Sequence, residues 1–404
     1  MGIGSEQSLH HFITESPWQI KDLRLQRLRI ILQILRGREI SLIIDETGDK
    51  KKGNKTDYVK RQYIGNLGKI ENGIVAVTAY GLLDGMTFPL DFEVYKPSER
   101  LLSGDTYKSK PIIAADMIRE LTAMGFKFSL VLADSLYGES AGNFISVLNE
   151  LKLNFAVAIR SNHGVWLPPG QTVRYNKWHA SRLNGGNPRT ALARKFYRVF
   201  SDGKTEVRYI RQIIFGKRNA IQYWQITTDT DTLPENSTWW VMTLVPGIKY
   251  NQVGNLYGLR NWVEYGLKQS KNELGWADFR VTDYAQIEKW WEIVMSAYLL
   301  VSLHAQVLNT SKNFNNDEVI DSAVDKFSTH DWWDSGQGWK NILNNLRLVI
   351  QPWVFFNLIK RSCSKVFPIS HLSLGFPRLI ALMNKFRGAI TTPVSDEDFQ
   401  FSSA

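Results

Sequence analysis

Five residues between Asn255 and Trp276 have types and spacings that could do chemistry together. They are Tyr257, Arg260, Glu264, Lys268 and Lys271 in NLYGLRNWVEYGLKQSKNELGW. The stretch predicts one helix, and at about 100° per residue all five fall within an arc of roughly 80°. Leu256, Leu259, Val263, Leu267 and Leu274 form an apolar stripe beside them. Taken alone, the polar stripe reads as a surface helix steadied by Arg260–Glu264 and Glu264–Lys268 pairs, each contributing a few tenths of a kcal/mol. Two aspartates elsewhere change that reading. Asp45 ends the apolar run ISLIID and Asp134 ends FSLVLAD, and both runs predict buried strands that deliver a carboxylate at the C-terminal end. Three carboxylates without a histidine or cysteine cluster suit hard, oxygen-preferring cations, magnesium or manganese. Two such ions about 4 Å apart can activate a hydroxyl nucleophile and stabilise the leaving oxygen of a phosphodiester. Arg260, Lys268 and Lys271 beside Glu264 would then hold phosphates, and Tyr257 would hydrogen-bond or stack.

The elements that must position these residues follow from periodicity. A buried strand over residues 40–44 precedes the basic loop DKKKGNKTDYVKRQYIGNLGK. NGIVAVTAYGLLDGMTFPLDFEVY predicts a hairpin turning at Asp84–Gly85. KPIIAADMIRELTAMGF predicts an amphipathic helix, FSLVLADSLYG a second strand, SAGNFISVLNELKL a helix and NFAVAIRS a third strand. This order gives an α/β sheet with helices on its faces, in which ligands are met at the carboxyl ends of strands. After Arg160 the pattern changes. Breaks at WLPPGQ and RLNGGNPR lead into four β-type runs, ALARKFYRVF, VRYIRQIIF, AIQYWQITT and WWVMTLV, an antiparallel insertion within residues 161–250. Helical pattern returns at Asn255, with a long buried helix in DYAQIEKWWEIVMSAYLLVSLHAQVL and another in GWKNILNNLRLVIQPWVFFNLIK, broken or kinked at Pro352. GFPRLIALMNKFRG predicts a short helix, and residues 391–404 a disordered tail. The expected division is a helical N-terminal part (1–39), a core in two parts (40–160 and 251–310), the β-rich insertion between them (161–250), a helical C-terminal region (311–390) and the tail.

Composition narrows the partners. The chain has 404 residues, 44% hydrophobic and 22% charged, with a formal charge of +10. Between Gln171 and Gln225 twelve basic residues face two acids, Asp202 and Glu206; twelve minus two is +10, equal to the excess of the whole chain, 49 minus 39. Such a concentrated field favours a polyanion. A solvated sheet face is the plain alternative. The lone cysteine, Cys363, excludes an internal disulfide and a cysteine zinc site. The longest apolar stretch, residues 293–303, is interrupted by Ser296 and Ser302 and is too short to span a bilayer. A cytoplasmic protein is expected.

The same residues carry a family resemblance. Tyr257, Arg260, Glu264 and Lys271 stand at the spacing Y-x2-R-x3-E-x6-K, LIIDETGDKKKG surrounds Asp45 and VLADSLYG surrounds Asp134. In these motifs the chain resembles the DDE transposases of bacterial insertion sequences, in the insertion-sequence-four superfamily. RQYIGNLGK, IRSNHG and QGWKNILNNLRLVIQPW resemble the seven-hundred-and-one subgroup, and the resemblance covers nearly the whole chain. It implies a ribonuclease-H-like mixed sheet with flanking helices, interrupted by the β insertion and followed by a helical C-terminal part. It implies Asp45, Asp134 and Glu264 as a triad for Mg2+ or Mn2+, and Tyr257, Arg260 and Lys271 as contacts to DNA phosphates near the cleaved end. Lys268 shares their face but lies outside the signature. It also implies double-stranded DNA as partner (terminal inverted repeats and target), a homodimer holding two ends, and an aromatic residue in the insertion that receives a flipped base. Trp239 or Trp240 could serve, although both could equally pack the insertion against the core.

Other residues fit plainer readings. Strand alternation turns Glu46 away from Asp45. The DKKKGNK loop is read equally as a phosphate contact or a solvated loop. His163 and His179 belong to no spaced ligand pair, and Trp290–Trp291 has the pattern of a core pair. Only 44 residues precede Asp45, fewer than is usual in the family. An N-terminally truncated, non-transposing DNA-binding remnant is therefore the alternative to an active transposase. A two-carboxylate glycosidase is a third reading, which the basic segment disfavours.

Overall fold

Ile40, Leu42, Ile43 and Ile44 are fully buried and build the centre of a mixed sheet, strand β1 (Ile40–Lys50). The computed structural model describes residues 6–166, 172–174, 193–199, 204–213, 220–308, 331–336 and 338–365. Before β1 come α1 (Glu6–Thr14) and α2 (Ile20–Leu35). After it come β2 (Lys60–Ile64), β3 (Lys69–Leu83), β4 (Met86–Val94), α3 (Lys110–Ala123), β5 (Phe128–Ala133), α4 (Ser135–Gly138), α5 (Ser146–Glu150) and β6 (Phe155–Ile159). The strands β7 (Gly164–Trp166), β8 (Thr172–Arg174), β9 (Arg194–Val199), β10 (Thr205–Ile213), β11 (Gln222–Thr227) and β12 (Trp239–Leu244) lead to α6 (Tyr250–Gly258). Then follow α7 (Asn261–Asn272), α8 (Tyr284–Leu303), α9 (Ala305–Leu308) and α10 (Trp339–Lys365).

The core order is β4-β3-β1-β5-β6, with β3 antiparallel to its neighbours and β1, β5 and β6 parallel, a ribonuclease-H-like arrangement. Asp84 and Gly85 turn the β3–β4 hairpin with positive φ of 49° and 76°, the twist that two-residue hairpins require. β1 is longer than its apolar run. Asp45 to Lys50 stay extended because they pair antiparallel with Thr78 to Gly73 of β3. Asp45 therefore lies inside a strand, just beyond the last parallel rung, Ile43 with Leu132. Within the insertion only β7 and β8 pair apart from the main sheet, as a two-stranded antiparallel ribbon. β12 pairs antiparallel with β6 from Trp240↔Ile159 to Leu244↔Phe155, and β11, β10 and β9 continue the same sheet outward.

Two layers cover the sheet. Ile44, Val131 and Val157 point to one side, against Leu28, Ile31 and Leu35 of α2, Ile118 of α3 and Trp339 of α10. Ile43, Tyr80 and Leu132 point to the other, against Val263 and Leu267 of α7 and Trp291 of α8. Trp291 stacks on Trp276 at 4.6 Å, which makes it a core residue. Arg27 fastens α2 across the layers. Its Nε donates to Glu292 of α8 at 2.6 Å and its Nη1 to the carbonyls of Pro89 and Leu90 in β4. Arg24 of the same helix bonds the buried Glu292 carboxylate as well, at 3.0 Å, so removing Glu292 would take a bonded carboxylate from both arginines.

α10 is continuous across Pro352, so the helix is not broken there. The expected short helix after 374, the tail, His179 and the basic residues Lys177, Arg182, Arg189, Lys217 and Arg218 lie outside the described residues. Among the described residues no helix is long and apolar enough to cross a membrane.

Candidate active site

Ile43 and Leu132 face the same layer in the last parallel rung. Two residues further along each strand, period-two alternation brings Asp45 and Asp134 to that same face, on neighbouring chains about 5 Å apart. Asp134 also caps α4, its side chain accepting from the Leu136 amide at 2.9 Å. The turn sits tightly on β6. A Cβ on Gly138 would stand 1.9 Å from the Ala158 carbonyl oxygen, so only glycine lets α4 approach this closely. Gly266 allows a close but less exacting approach of α7, where a Cβ would meet the side chains of Tyr80 at 3.2 Å and Thr87 at 3.4 Å and displace them by a few tenths of an ångström. This contact fixes the height of Glu264 over the sheet.

Arg260 joins the carboxylates. Its Nη1 donates to Asp45 Oδ2 at 2.9 Å and its Nη2 to Glu264 Oε1 at 3.1 Å. Asp45 Oδ1 accepts from the Glu46 amide at 2.8 Å. Burial raises the Asp45 carboxyl to about 6; Arg260 pulls it down, and the charges of Asp134 and Glu264 push it up. Burial works against the Arg260 cation, but Asp45, then Tyr257, Glu264 and Asp134, hold its pKa above the ordinary value. The buried Nε of Arg260 has no hydrogen-bond partner among the described residues. The three carboxylates thus share one electrostatic field, with a guanidinium between two of them.

The single helix expected over Asn255–Trp276 is two helices. α6 ends at Gly258 and α7 begins at Asn261. Arg260, Trp262 and Val263 each bond the carbonyl three residues back, a tighter winding than the α-helix. Gly258 supplies the weak point. One wheel therefore does not describe all five polar residues. Tyr257 lies on α6, with its ring 6.4 Å from Trp239 and its hydroxyl pKa raised by burial. Lys271 reaches β1, donating to the Gly48 carbonyl at 2.7 Å and pairing with Asp49 at 3.1 Å. Lys268 is exposed and makes no bond or ion pair among the described residues.

The two tryptophans separate. Trp239 packs in the layer that holds Tyr257, with the Arg208 guanidinium 3.9 Å and the Arg198 guanidinium 4.8 Å from its ring centre. Trp240 packs into the opposite layer. Arg198 and Arg208 were not singled out from sequence. Their signal is alternation, since each shares a strand face with a buried apolar residue, Phe196 or Ile210. Glu46 points away from Asp45, as alternation requires, and pairs with Lys110 of α3. His163 contacts the Glu139 carboxylate at 3.0 Å.

Among the described residues, no three carboxylates, histidines or cysteines converge closely enough to hold a metal as they stand. Arg260 bonds oxygens of both Asp45 and Glu264. The donor set is nonetheless all oxygen and anionic, the chemistry of a hard divalent cation. The carboxylates already draw a cation between them.

This sheet order, with two aspartates side by side at its centre and a glutamate facing them from a helix, defines a nuclease fold of the DDE class. Residues 2–207 match the family described as DDE superfamily endonuclease, and the chain belongs to that family. The matched span includes Asp45 and Asp134 and ends before Glu264. Over 288 residues the chain is 64% identical to the probable transposase for insertion sequence element IS701 of Microchaete diplosiphon, covering 71% of this chain and 72% of that protein.

Proposed function

We propose that the protein is a transposase that cuts and rejoins DNA at the ends of an insertion sequence. The observation that carries this reading is the Asp45–Arg260–Glu264 bridge beside Asp134, in a chain of the DDE endonuclease family. The likeness to a probable transposase of an insertion sequence supports it, and nothing favours the alternative of an N-terminally truncated, non-transposing DNA-binding remnant.

In this reading Asp45, Asp134 and Glu264 hold divalent cations, magnesium or manganese. When bound, these ions supply Lewis acidity to the scissile phosphate and lower the pKa of the attacking water. The chain's own residues do the rest. Arg260 leaves the carboxylates for a phosphate oxygen, an exchange of one anionic partner for another that keeps its charge paired. Tyr257 adds a hydroxyl beside it. Lys271 steadies α7 against β1 through Gly48 and Asp49 and stands beside the backbone of bound DNA. Trp239, stacked against Arg198 and Arg208 next to Tyr257, offers a face to an unstacked base. The Trp240 side chain lies in the wrong layer for that role. Cleavage of one strand releases a 3′-hydroxyl, which attacks a second phosphodiester to join the end to its target. Two ends must be held together, so the working form is a homodimer on DNA. The division into core, basic insertion (161–250) and helical C-terminal region suits these tasks.

The test is Glu264→Ala. It removes an exposed side chain, so DNA binding persists while magnesium-dependent cutting of end-containing duplex is lost. Undiminished cutting by this variant sinks the assignment.

A further inference from the structure

Residues 50–73 hold seven lysines and arginines against two acids, Asp57 and Glu71; seven minus two is +5, far from the basic insertion in both sequence and space. The lysine loop between β1 and β2 is held chiefly through its backbone. Asn72 Nδ2 donates to the Lys51 carbonyl (3.3 Å), the Gly53 carbonyl (2.9 Å) and Asn54 Oδ1 (3.0 Å). Arg100 Nη2 donates to the carbonyls of Asn54 (2.8 Å) and Thr56 (3.2 Å). Lys51 is spent on the Phe279 ring, 3.4 Å from its centre. Lys52 and Lys55 are exposed, and neither has a hydrogen-bond or ion-pair partner among the described residues. A fixed loop thus presents two unspent cations.

The neighbouring hairpin adds an apolar face. Tyr63 of β2 and Ile70 of β3 are directly opposed and remain 59% and 57% exposed. Alternation along β3 puts Ile70 on the same side as Asn72, Ile74, Ala76 and Thr78. Thr78 is the cross-strand partner of Asp45. The Tyr63–Ile70 pair and the loop bound by Asn72 therefore belong to the face that carries the candidate active site. From Asp45 to Lys51 is six residues of extended chain, roughly 20 Å, or about six base pairs of duplex. β2 and β9 are the two ends of the main sheet path, and Asp45 on β1 lies between them. Trp239, Arg198 and Arg208 flank it from the β9 side.

We propose that the 51–55 loop and the β2–β3 hairpin form a second duplex-DNA site, which holds the donor DNA flanking the element, on the far side of the scissile phosphate from Trp239. The proposal rests on the reading of Asp45 as part of a DNA-cutting centre. Exposed cations beside a small apolar face suit the wall of a duplex, where phosphates take the lysines and deoxyribose takes the tyrosine and isoleucine. A second copy of the chain fits poorly, because the exposed Lys52 and Lys55 would face their own copies.

The test compares two duplexes of the element's terminal repeat, one ending at the cut and one carrying about 15 further base pairs of flank. Binding by the full chain is followed by fluorescence anisotropy against salt. Each phosphate neutralised contributes a slope of about 0.9. Lys52→Gln/Lys55→Gln is expected to lower the salt slope on the flanked duplex by about 1.8 and its affinity about tenfold, with the pre-cut duplex unaffected. Tyr63→Ala/Ile70→Ala is expected to weaken the flanked duplex with no change of slope. Wild-type slope and affinity of the lysine variant on the flanked duplex overturn the proposal, and so does an equal loss on both duplexes. A Tyr63→Ala/Ile70→Ala variant that changes assembly mass and leaves DNA affinity intact assigns the face to a second copy and also overturns it. Because binding is the readout, a wild-type chain that binds flank but cuts nothing in magnesium refutes the catalytic reading and leaves the flank site standing.

Discussion

Arg260 and Asp45, 215 positions apart in sequence, are joined by a 2.9 Å ion pair in which the guanidinium also reaches Glu264. The contact makes α7 and β1 two walls of one cleft. It also means that a divalent cation and Arg260 seek the same oxygens.

Arg260→Gln removes that competitor. In the DNA-free protein its affinity for Mn2+ is expected to rise, by up to roughly fivefold, the weight of one ion pair of about 1 kcal/mol. Cutting of DNA is expected to fall, because the phosphate loses its guanidinium. Calorimetry or manganese spin resonance reads the first effect and a cleavage assay the second. A lower Mn2+ affinity in the variant would show that Arg260 organises the carboxylates instead of competing for them.

Asp45 gives the metal-free protein a pH signature. Burial lifts its carboxyl from 3.8 to about 6 against the pull of Arg260. The folded state therefore binds the proton more tightly than the unfolded chain, and stability falls as pH rises from about 4 to about 6. Asp45→Asn removes the penalty. Without divalent ions the variant is expected to be more stable than wild type at pH 8, by on the order of 1–3 kcal/mol, and to lose the advantage near pH 4. Urea unfolding at the two pH values measures this. A wild-type protein that is the more stable at pH 8 contradicts it.

The tryptophans predict opposite phenotypes. Trp239→Ala is expected to reduce fluorescence change at a 2-aminopurine placed beside the cleaved end, and to slow cutting, with little change in melting temperature. Trp240→Ala removes packing in the other layer and is expected to cost about 2–4 kcal/mol of stability, while the folded protein keeps its base-analogue signal. The reverse pattern would exchange the two assignments.

Much of this was legible in local sequence. ISLIID and FSLVLAD each end a buried strand in an aspartate, and the alternation that turns Glu46 to Lys110 is the same period-two rule. What escaped was set by non-local pairing. Nothing local shows that β1 continues past Asp45, since its extension depends on Thr78 to Gly73 of β3. Lys271 consequently meets Asp49 and Gly48, residues that an apolar-run reading places in a loop. The choice between Trp239 and Trp240 waits on the register of β12 against β6, where Trp240 faces Ile159. The break after Gly258 was hidden because a single glycine is tolerated inside many helices.

Asp45→Cys tests the assignment of metal ligation to β1 most directly. A thiolate takes softer ions more readily than magnesium. Magnesium-dependent cutting of an element-end duplex is expected to be lost in this variant and to return, at least in part, when Mn2+ replaces Mg2+, with Asp45→Ala inactive in both. A cysteine variant that cuts as wild type does in magnesium, or an alanine variant that cuts in either ion, would contradict a metal held at Asp45.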